Sequence, residues 1–339
     1  MENLTHALSG ILLARAGLER WTPRATAVSV VAANLPDIDI ITAGSAINYL
    51  TYHRHITHSL AATPVMAALA VLLVEGVCRL TSRTSEPLRW GPAFGVALLA
   101  TLSHHALDMT NAYGTRLWLP FDDSWSSWDV LFVVDPWVWV ILLAAILTPV
   151  ALRFVMRGDA ARSRMAWAGL GVLVAYIGVR SVLHERAIQM IAALTNELEV
   201  RRVAAFPLPL TFFRWSGLAE TDSDFRTFTI DTRAHQAVGP PGRYPKAEDS
   251  EVVRVARATP LAREYLRFAQ YAHVEAIPRG RGYEVQFSDF RFRRGEAAGF
   301  LCTIQIDAAL NVTKQDFRYW GGEGFFLFGQ RVLRSHPPP

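Results

Sequence analysis

The whole sequence contains little cysteine, and its second half contains no long apolar run. Cys78 and Cys302 are the only cysteines among 339 residues. Two thiols are too few for a disulfide framework or a cysteine-ligated zinc module, so both classes are excluded. No basic segment precedes the first apolar stretch, which opens with Glu2 and His6, so we expect no cleavable signal peptide. The second half carries no cofactor, nucleotide or nucleic-acid motif, and no nucleic-acid partner is expected.

The apolar residues are concentrated before residue 183. They make up 51% of the chain, and the mean hydropathy is +0.18. A helix needs about 20 mostly apolar residues to cross a bilayer, and the runs near that length are 59–78, 90–107, 130–152 and 165–179. Residues 4–18 and 25–36 are shorter and predict two short spans, a re-entrant hairpin or interfacial helices. We therefore predict an all-α multi-pass membrane domain over residues 1–182.

The arginines predict which side of the membrane each connection faces. Arginines outnumber acidic residues in the connections 15–24, 79–89 and 153–164. The connections 37–58 and 108–129 together hold six aspartates and only two arginines. Cytoplasmic connections carry an excess of arginine and lysine, so the first three should be cytoplasmic. The two acidic connections, and everything after the last span, should then lie outside the inner (plasma) membrane, on the periplasmic side.

Six of the ten histidines precede residue 106, and together with three aspartates they lie in four short segments. These segments are Thr5-His6, Pro36-Asp37-Ile38-Asp39, His53-Arg54-His55-Ile56-Thr57-His58-Ser59 and His104-His105-Ala106-Leu107-Asp108. His104 and Asp108 are four residues apart on a predicted helix and share one face. Imidazole and carboxylate are ligands of zinc and other first-row metals. On the topology above, all four segments emerge at the outer face.

Each segment also has a structural interpretation without metal, as an interfacial histidine, a turn after proline or a helix-packing residue. Burying a charged group at the bilayer centre costs about 2.5–3.5 kcal/mol on insertion scales. Four such clusters at one membrane face are therefore better explained by a metal site.

The four segments, with Gly10 after Thr5-His6, resemble the signature of the YdjM family of membrane-bound, predicted metal-dependent hydrolases. The resemblance covers roughly residues 1–180, and the His-Arg-x-x-Thr-His-Ser element is its most specific part. That family is similar in its His/Asp pattern to zinc-dependent phospholipase C and related nucleases. The resemblance implies hydrolysis of a phosphoester, or another ester, in a lipid-associated substrate by a metal-activated water.

The residues and the resemblance together predict roles in such a site. The predicted ligands of one or two divalent ions, most simply zinc, are His6, Asp37, His53, His58, His104 and Asp108. Arg54 would bind an anionic phosphate oxygen. Asp39 would bridge two ions or act as the base that orients water. His55 and His105 fall outside the family pattern and would support the ligands.

The connection after Asp108 is rich in tryptophan and aspartate. Its tryptophans predict an interfacial aromatic belt. Its aspartates, Asp122, Asp123 and Asp129, are close enough in sequence to add a ligand.

The second half reads as a connecting amphipathic helix over 183–200, followed by a β-rich (α+β), water-facing domain over 201–339. Residues 225–231, 283–287 and 300–307 favour strands, and glycine- and proline-rich turns separate them.

The main alternative function is non-catalytic: a metal-stabilised membrane scaffold or an ion transporter. Transporters place ionisable groups near the bilayer midplane. The clusters here fall at span ends, which favours an enzyme.

Overall fold

The computed structural model describes residues 1–81, 86–151, 159–234, 236–294 and 297–319, and it shows a helical N-terminal half followed by a β-rich C-terminal region. The helices are α1 (Asn3–Arg15), α2 (Ala25–Asn34), α3 (Ala46–Tyr52), α4 (Thr63–Thr81), α5 (Trp90–Met109), α6 (Pro136–Ala151), α7 (Asp159–Leu194), α8 (Glu251–Ala258) and α9 (Pro260–Phe268). The predicted fold class is confirmed at this level. Arg83, Arg153 and Arg157, used in the topology prediction, lie outside the described residues.

The C-terminal strands form two antiparallel sheets and a short ribbon. The strands are β1 (Val200–Pro207), β2 (Arg214–Thr221), β3 (Asp224–Asp231), β4 (Gln236–Ala237), β5 (Gly242–Pro245), β6 (Ala272–Arg279), β7 (Gly282–Asp289), β8 (Arg293–Arg294), β9 (Ala297–Ala298), β10 (Phe300–Ile306) and β11 (Val312–Tyr319). The first sheet has the order β1-β2-β3-β4, with β5 also paired to β3. The second has the order β11-β10-β7-β6, and β8 pairs with β9.

The chain forms two compact units whose segments alternate along the sequence. The N-terminal unit comprises Met1–Asp39, Arg54–Glu185 and Pro207–Phe212. The C-terminal unit comprises Ile40–His53, Arg186–Phe206 and the chain from Phe213 onward. Helix α7 runs unbroken through residue 182 to Leu194. The predicted boundaries at 182 and 200 stay predictions.

Three segments among the described residues are long and apolar enough to cross a membrane: Ala25–Thr42, Thr63–Thr81 and Ala160–Leu194. Helix α6 is apolar but shorter. Helix α5 packs against α1, α2 and α4, and its inner face is buried along its length. The N-terminal unit therefore places α5, which carries His104 and Asp108, among its other helices.

Small residues let α1 approach α2 closely. A Cβ added at Gly10 would lie 3.0 Å from the Ser29 carbonyl oxygen and 3.1 Å from Val30 Cα. The Ser29 hydroxyl also donates a hydrogen bond of 2.8 Å to the Gly10 carbonyl. Both contacts are with backbone, which cannot move aside as a side-chain tip can. Gly10 thus fixes the spacing between the helix that carries His6 and the helix that leads to Asp37.

We expect Gly10→Val to destabilise the protein by about 1–3 kcal/mol, the usual cost of overpacking a tight contact. It should also weaken metal binding, because α1 and α2 would separate. Thermal unfolding in detergent and metal titration would measure both effects. The matched control is Gly76→Ala in α4, where an added Cβ meets nothing within 4 Å. Equal melting temperatures for the Gly10 variant and the control would contradict this account.

Two charged residues, Asp135 and Arg180, lie in or next to the last two apolar runs, and both have hydrogen-bond partners inside the protein. The Tyr176 hydroxyl donates to both carboxylate oxygens of Asp135, at 3.1 and 3.0 Å. Arg180 is 1% exposed, and its guanidinium donates to the carbonyls of Val130, Thr211 and Phe212. Because buried polar groups need partners, these contacts let α7 carry an arginine inside the N-terminal unit.

The helices of the C-terminal unit begin at side-chain caps and pack on the second sheet. Ser250 caps α8, and Thr259 caps α9 directly before Pro260, which suits the first helical turn. The Tyr265 hydroxyl donates to the Phe300 carbonyl at 3.0 Å, which ties α9 to β10. Helix α3 also packs on α9.

Candidate metal centre

Five of the six predicted ligands, all except His53, lie together in the N-terminal unit and come from four separate elements. A 3₁₀ segment, Leu35–Thr42, follows α2 and carries Asp37 and Asp39. A second 3₁₀ turn, Ile56–His58, ends at His58 just before α4. His104 and Asp108 lie on the last turns of α5, and His6 lies on α1. Each element contributes one or two polar side chains, and the packing of the helices brings these side chains together.

Asp37, His58, His104 and Asp108 each direct one potential ligand atom to a common point, and these atoms all lie within 4.8 Å of one another. His58 Nε2 is 3.2 Å from Asp37 Oδ1 and 3.5 Å from Asp108 Oδ2. His104 Nε2 is 3.3 Å from Asp108 Oδ2 and 4.0 Å from Asp37 Oδ1. Ligand atoms at about 2.0–2.1 Å from a tetrahedral ion lie about 3.3–3.4 Å from each other. Three of these four distances are near that spacing, so the four residues could bind one ion.

Unsatisfied atoms at the centre support the same assignment. Within the described part of the chain, His104 Nε2, Asp37 Oδ2, Asp108 Oδ2 and both nitrogens of His6 are buried without a hydrogen bond. Such groups normally have partners, because desolvating them unpaired costs free energy. Three carboxylates, Asp37, Asp39 and Asp108, also outnumber the two basic groups near them, the Arg54 guanidinium and the Met1 α-amino group. A divalent cation would satisfy both the unpaired atoms and the charge.

Contacts on the far side of each imidazole fix its orientation. His104 Nδ1 lies 2.8 Å from the Ala33 carbonyl oxygen. A carbonyl only accepts, so Nδ1 carries the proton and Nε2 presents its lone pair to the centre. His58 Nδ1 lies 3.2 Å from Asp39 Oδ2, which favours the same tautomer. Both histidines are thus prepared to bind a metal through Nε2.

His58 has a perturbed pKa in the absence of an ion. Burial alone would lower the pKa of its imidazole, but hydrogen bonds and charge attraction from Asp37 and Asp39 outweigh that effect and raise it. A metal must displace the proton from Nε2, so binding should release protons and weaken as the pH falls.

His6 borders the four-atom group. Its Nε2 lies 3.4 Å from Asp108 Oδ1, and its ring stacks on His104 with the ring centroids 3.9 Å apart. The α-amino group of Met1 contacts the same Asp108 oxygen. His6 therefore lies beside Asp108 Oδ1, whereas Asp108 Oδ2 faces His58 and His104.

Arg54 is buried and contacts Asp108 through its guanidinium. Its Nη2 lies 3.2 Å from Asp108 Oδ1, and the guanidinium also donates to the Gly114 and Met1 carbonyls, at 3.2 and 3.3 Å. It lies over the Tyr113 ring, 4.7 Å from the centroid. Arg54 is 3% exposed.

Other predicted residues make different contacts. His53 belongs to the C-terminal unit, where its ring stacks on Tyr49 at 4.9 Å. Its role as a ligand stays a prediction. His105 Nε2 lies 3.0 Å from the Thr63 hydroxyl, so it contacts the start of α4. Asp122 accepts from Ser124, and Asp123 pairs with Arg116 at 2.9 Å. Neither Asp122 nor Asp123 belongs to the four-atom group found in the described residues.

Two contacts at the centre have no signal in the sequence. They are the Ala33 carbonyl that orients His104 and the Gly114 carbonyl that accepts from Arg54. Both are backbone atoms, which no side-chain pattern marks. Thr57, whose hydroxyl donates to Asp39 at 3.1 Å, lies in the His-Arg-x-x-Thr-His-Ser element, but the sequence does not indicate this role.

The fold and the centre together define a class: a helical membrane protein with a buried His/Asp site, joined to a β-rich domain. Residues 1–187, more than half of the chain, match the family described as YdjM inner membrane protein. The chain belongs to the YdjM family, as the sequence resemblance predicted.

Two further comparisons concern the whole chain and its second half. Residues 251–325 match the YfhP C-terminal alpha/beta plait domain. Over 326 residues the chain is 23% identical to a protein of Bacillus subtilis (strain 168) described as "Uncharacterized protein YfhP", covering 92% of this chain and 93% of that protein. No solved structure matches the chain.

Proposed function

We propose that this protein is a membrane-bound, metal-dependent hydrolase that acts on a phosphoester or ester in a lipid-associated substrate. The observation that carries the proposal is the convergence of Asp37, His58, His104 and Asp108 on one buried point with unpaired ligand atoms. A bound divalent ion would polarise a phosphoryl or carbonyl oxygen and lower the pKa of a water molecule. The family resemblance, whose wider His/Asp pattern is that of metal-dependent phosphoesterases, supports the reaction class.

Zinc is the ion we propose. The candidate ligands are two imidazoles and two carboxylates, with no thiolate, which is a ligand set that zinc accepts. His6 is placed to join the set, because both of its nitrogens are buried without a hydrogen bond in the described structure.

A lipid-associated substrate fits the surroundings of the site. The connection that follows Asp108 exposes Trp118, Phe121 and Trp128. Aromatic side chains of this kind are enriched at the level of lipid headgroups. Most residues of the segments that are apolar enough to cross a membrane belong to the same N-terminal unit. A headgroup could then approach the centre while its acyl chains stay in the bilayer.

We propose that the site opens on the outer side of the inner membrane. Helix α4 begins just after His58 and ends near Arg79, whereas α5 begins after Arg89 and ends at Asp108. Because His58 and Asp108 meet, both arginines lie at the opposite helix ends, roughly 30 Å away at 1.5 Å per residue. Arginine marks the cytoplasmic end.

The reaction can be tested with purified protein and a panel of phospholipids and phosphodiesters. We expect hydrolysis that disappears on chelation and returns with zinc, and that falls by at least about 100-fold in Asp37→Asn and His104→Ala, since removing one electrostatic catalytic contact alone costs about that much. Both variants must still fold by thermal unfolding. The hydrolase proposal fails if the wild type and both variants hydrolyse every substrate at the same background rate.

The second candidate is a metal-stabilised scaffold, and burial of the centre favours it. Structural zinc sites have four protein ligands, whereas catalytic sites leave a position for water. His58, His104 and Asp108 are 0% exposed. A scaffold would lose thermal stability on chelation but show no turnover, so the same panel separates the two.

A further inference from the structure

We infer that Asp39 and Arg54 are positioning residues that together hold two metal ligands, and that neither contacts substrate. This inference deepens the proposed function and rests on it for the presence of the metal. We call the two residues the ligand brace.

Asp39 holds His58 from the side away from the centre. One oxygen, Oδ2, lies 3.2 Å from His58 Nδ1, and it also accepts from the Arg54 backbone N–H at 2.7 Å and from the Thr57 hydroxyl at 3.1 Å. Asp39 is absent from the group of converging ligand atoms. A carboxylate on Nδ1 fixes the ring and raises the basicity of Nε2, as outer partners of metal-bound histidines do.

Arg54 holds Asp108 in the corresponding way. Its guanidinium meets Asp108 Oδ1, which leaves Oδ2 facing His58 and His104. Its other described contacts are with protein carbonyls, an Asn111 amide oxygen and the Tyr113 ring. A guanidinium engaged in this manner and 3% exposed is poorly placed to bind a phosphate oxygen.

The two halves of the brace are joined through the backbone of Arg54. That residue has φ of 56°, in the left-handed region, which costs conformational energy for a residue with a Cβ. The hydrogen bond from its N–H to Asp39 offsets this cost and sets the direction in which its side chain leaves. Asp39 therefore acts on His58 directly and on Asp108 through Arg54.

The test uses cobalt(II) as a spectroscopic substitute for zinc in the full-length protein. We expect Asp39→Asn to weaken cobalt binding by about 10–100-fold, the usual effect of losing an outer partner, and to change the visible absorption spectrum. Arg54→Lys, which keeps the backbone N–H, should weaken binding and alter the spectrum in the same direction. At saturating metal, turnover of both variants should recover to within severalfold of the wild type.

The control is Asp231→Asn in the C-terminal unit, where the carboxylate likewise accepts the backbone N–H of an arginine, Arg233, at 3.0 Å. It should bind cobalt as the wild type does. Wild-type affinity and spectrum in both brace variants would overturn the inference. So would weakened binding with turnover still lost at saturating metal, because Asp39 or Arg54 would then act in the chemistry.

The metal titration needs no substrate, so the ligand brace can be tested independently of the proposed hydrolase activity. Cobalt binding by the wild type without any hydrolysis would reject the hydrolase, while the spectra of the variants would still decide the brace.

Discussion

His58→Ala and Asp108→Ala should each abolish stoichiometric metal binding, whereas His273→Ala should leave it intact. Each of the first two changes removes one of four converging ligand atoms. The loss should exceed the roughly 10–100-fold effect of an outer partner, because each of these side chains supplies a ligand atom directly. His273 is a buried histidine too, but its Nε2 lies 3.1 Å from the Pro245 carbonyl in the C-terminal unit.

Elemental analysis and calorimetric titration of the detergent-purified proteins would measure this, with thermal unfolding as the check that each variant folds. Asp108→Ala also leaves Arg54 without its carboxylate, so Asp108→Asn is the better variant if the alanine protein is unstable. A wild type that holds less than stoichiometric metal after supplementation would end the metal hypothesis. Full occupancy in His58→Ala would remove that residue from the ligand set.

Reporter fusions should give an all-or-none result for the orientation of the chain. An enzyme active only outside the cytoplasm should be silent when fused after Arg89 or Arg162 and active when fused after Val200. The expectation rests on the arginine-rich helix ends, including Arg15 at the end of α1 and Arg24 before α2, which lie at the opposite ends of their helices from His6 and Asp37. External activity at Arg162 would overturn the assignment.

The sequence predicted Asp37, His58, His104 and Asp108 as ligands, and the structure brings them together. Two signals made this possible: ionisable groups are rare beside apolar runs, and a spacing of four residues puts His104 and Asp108 on one helix face. The predicted helices and strands follow from equally local signals, namely apolar run length and alternation.

Contacts set by packing between distant segments could not be predicted. The geometry assigned to Asp39 depends on the Arg54 backbone and on Thr57, which approach only when the chain returns after residue 53. Likewise, no periodicity in the sequence indicates that Ile40–His53 belongs to the C-terminal unit. That assignment depends on contacts such as the 3.3 Å hydrogen bond between the Thr51 hydroxyl and Glu264.

That last contact has a consequence for how the protein is made. Thr51 and its partner Glu264 are 213 residues apart in the chain. Synthesis proceeds at about 5–20 residues per second, so α3 waits roughly 10–40 s after it is translated before α9 exists. Asp39, Arg54 and Asp108 are all synthesised before α9 exists. The candidate metal ligands can therefore meet before α3 can pack on α9.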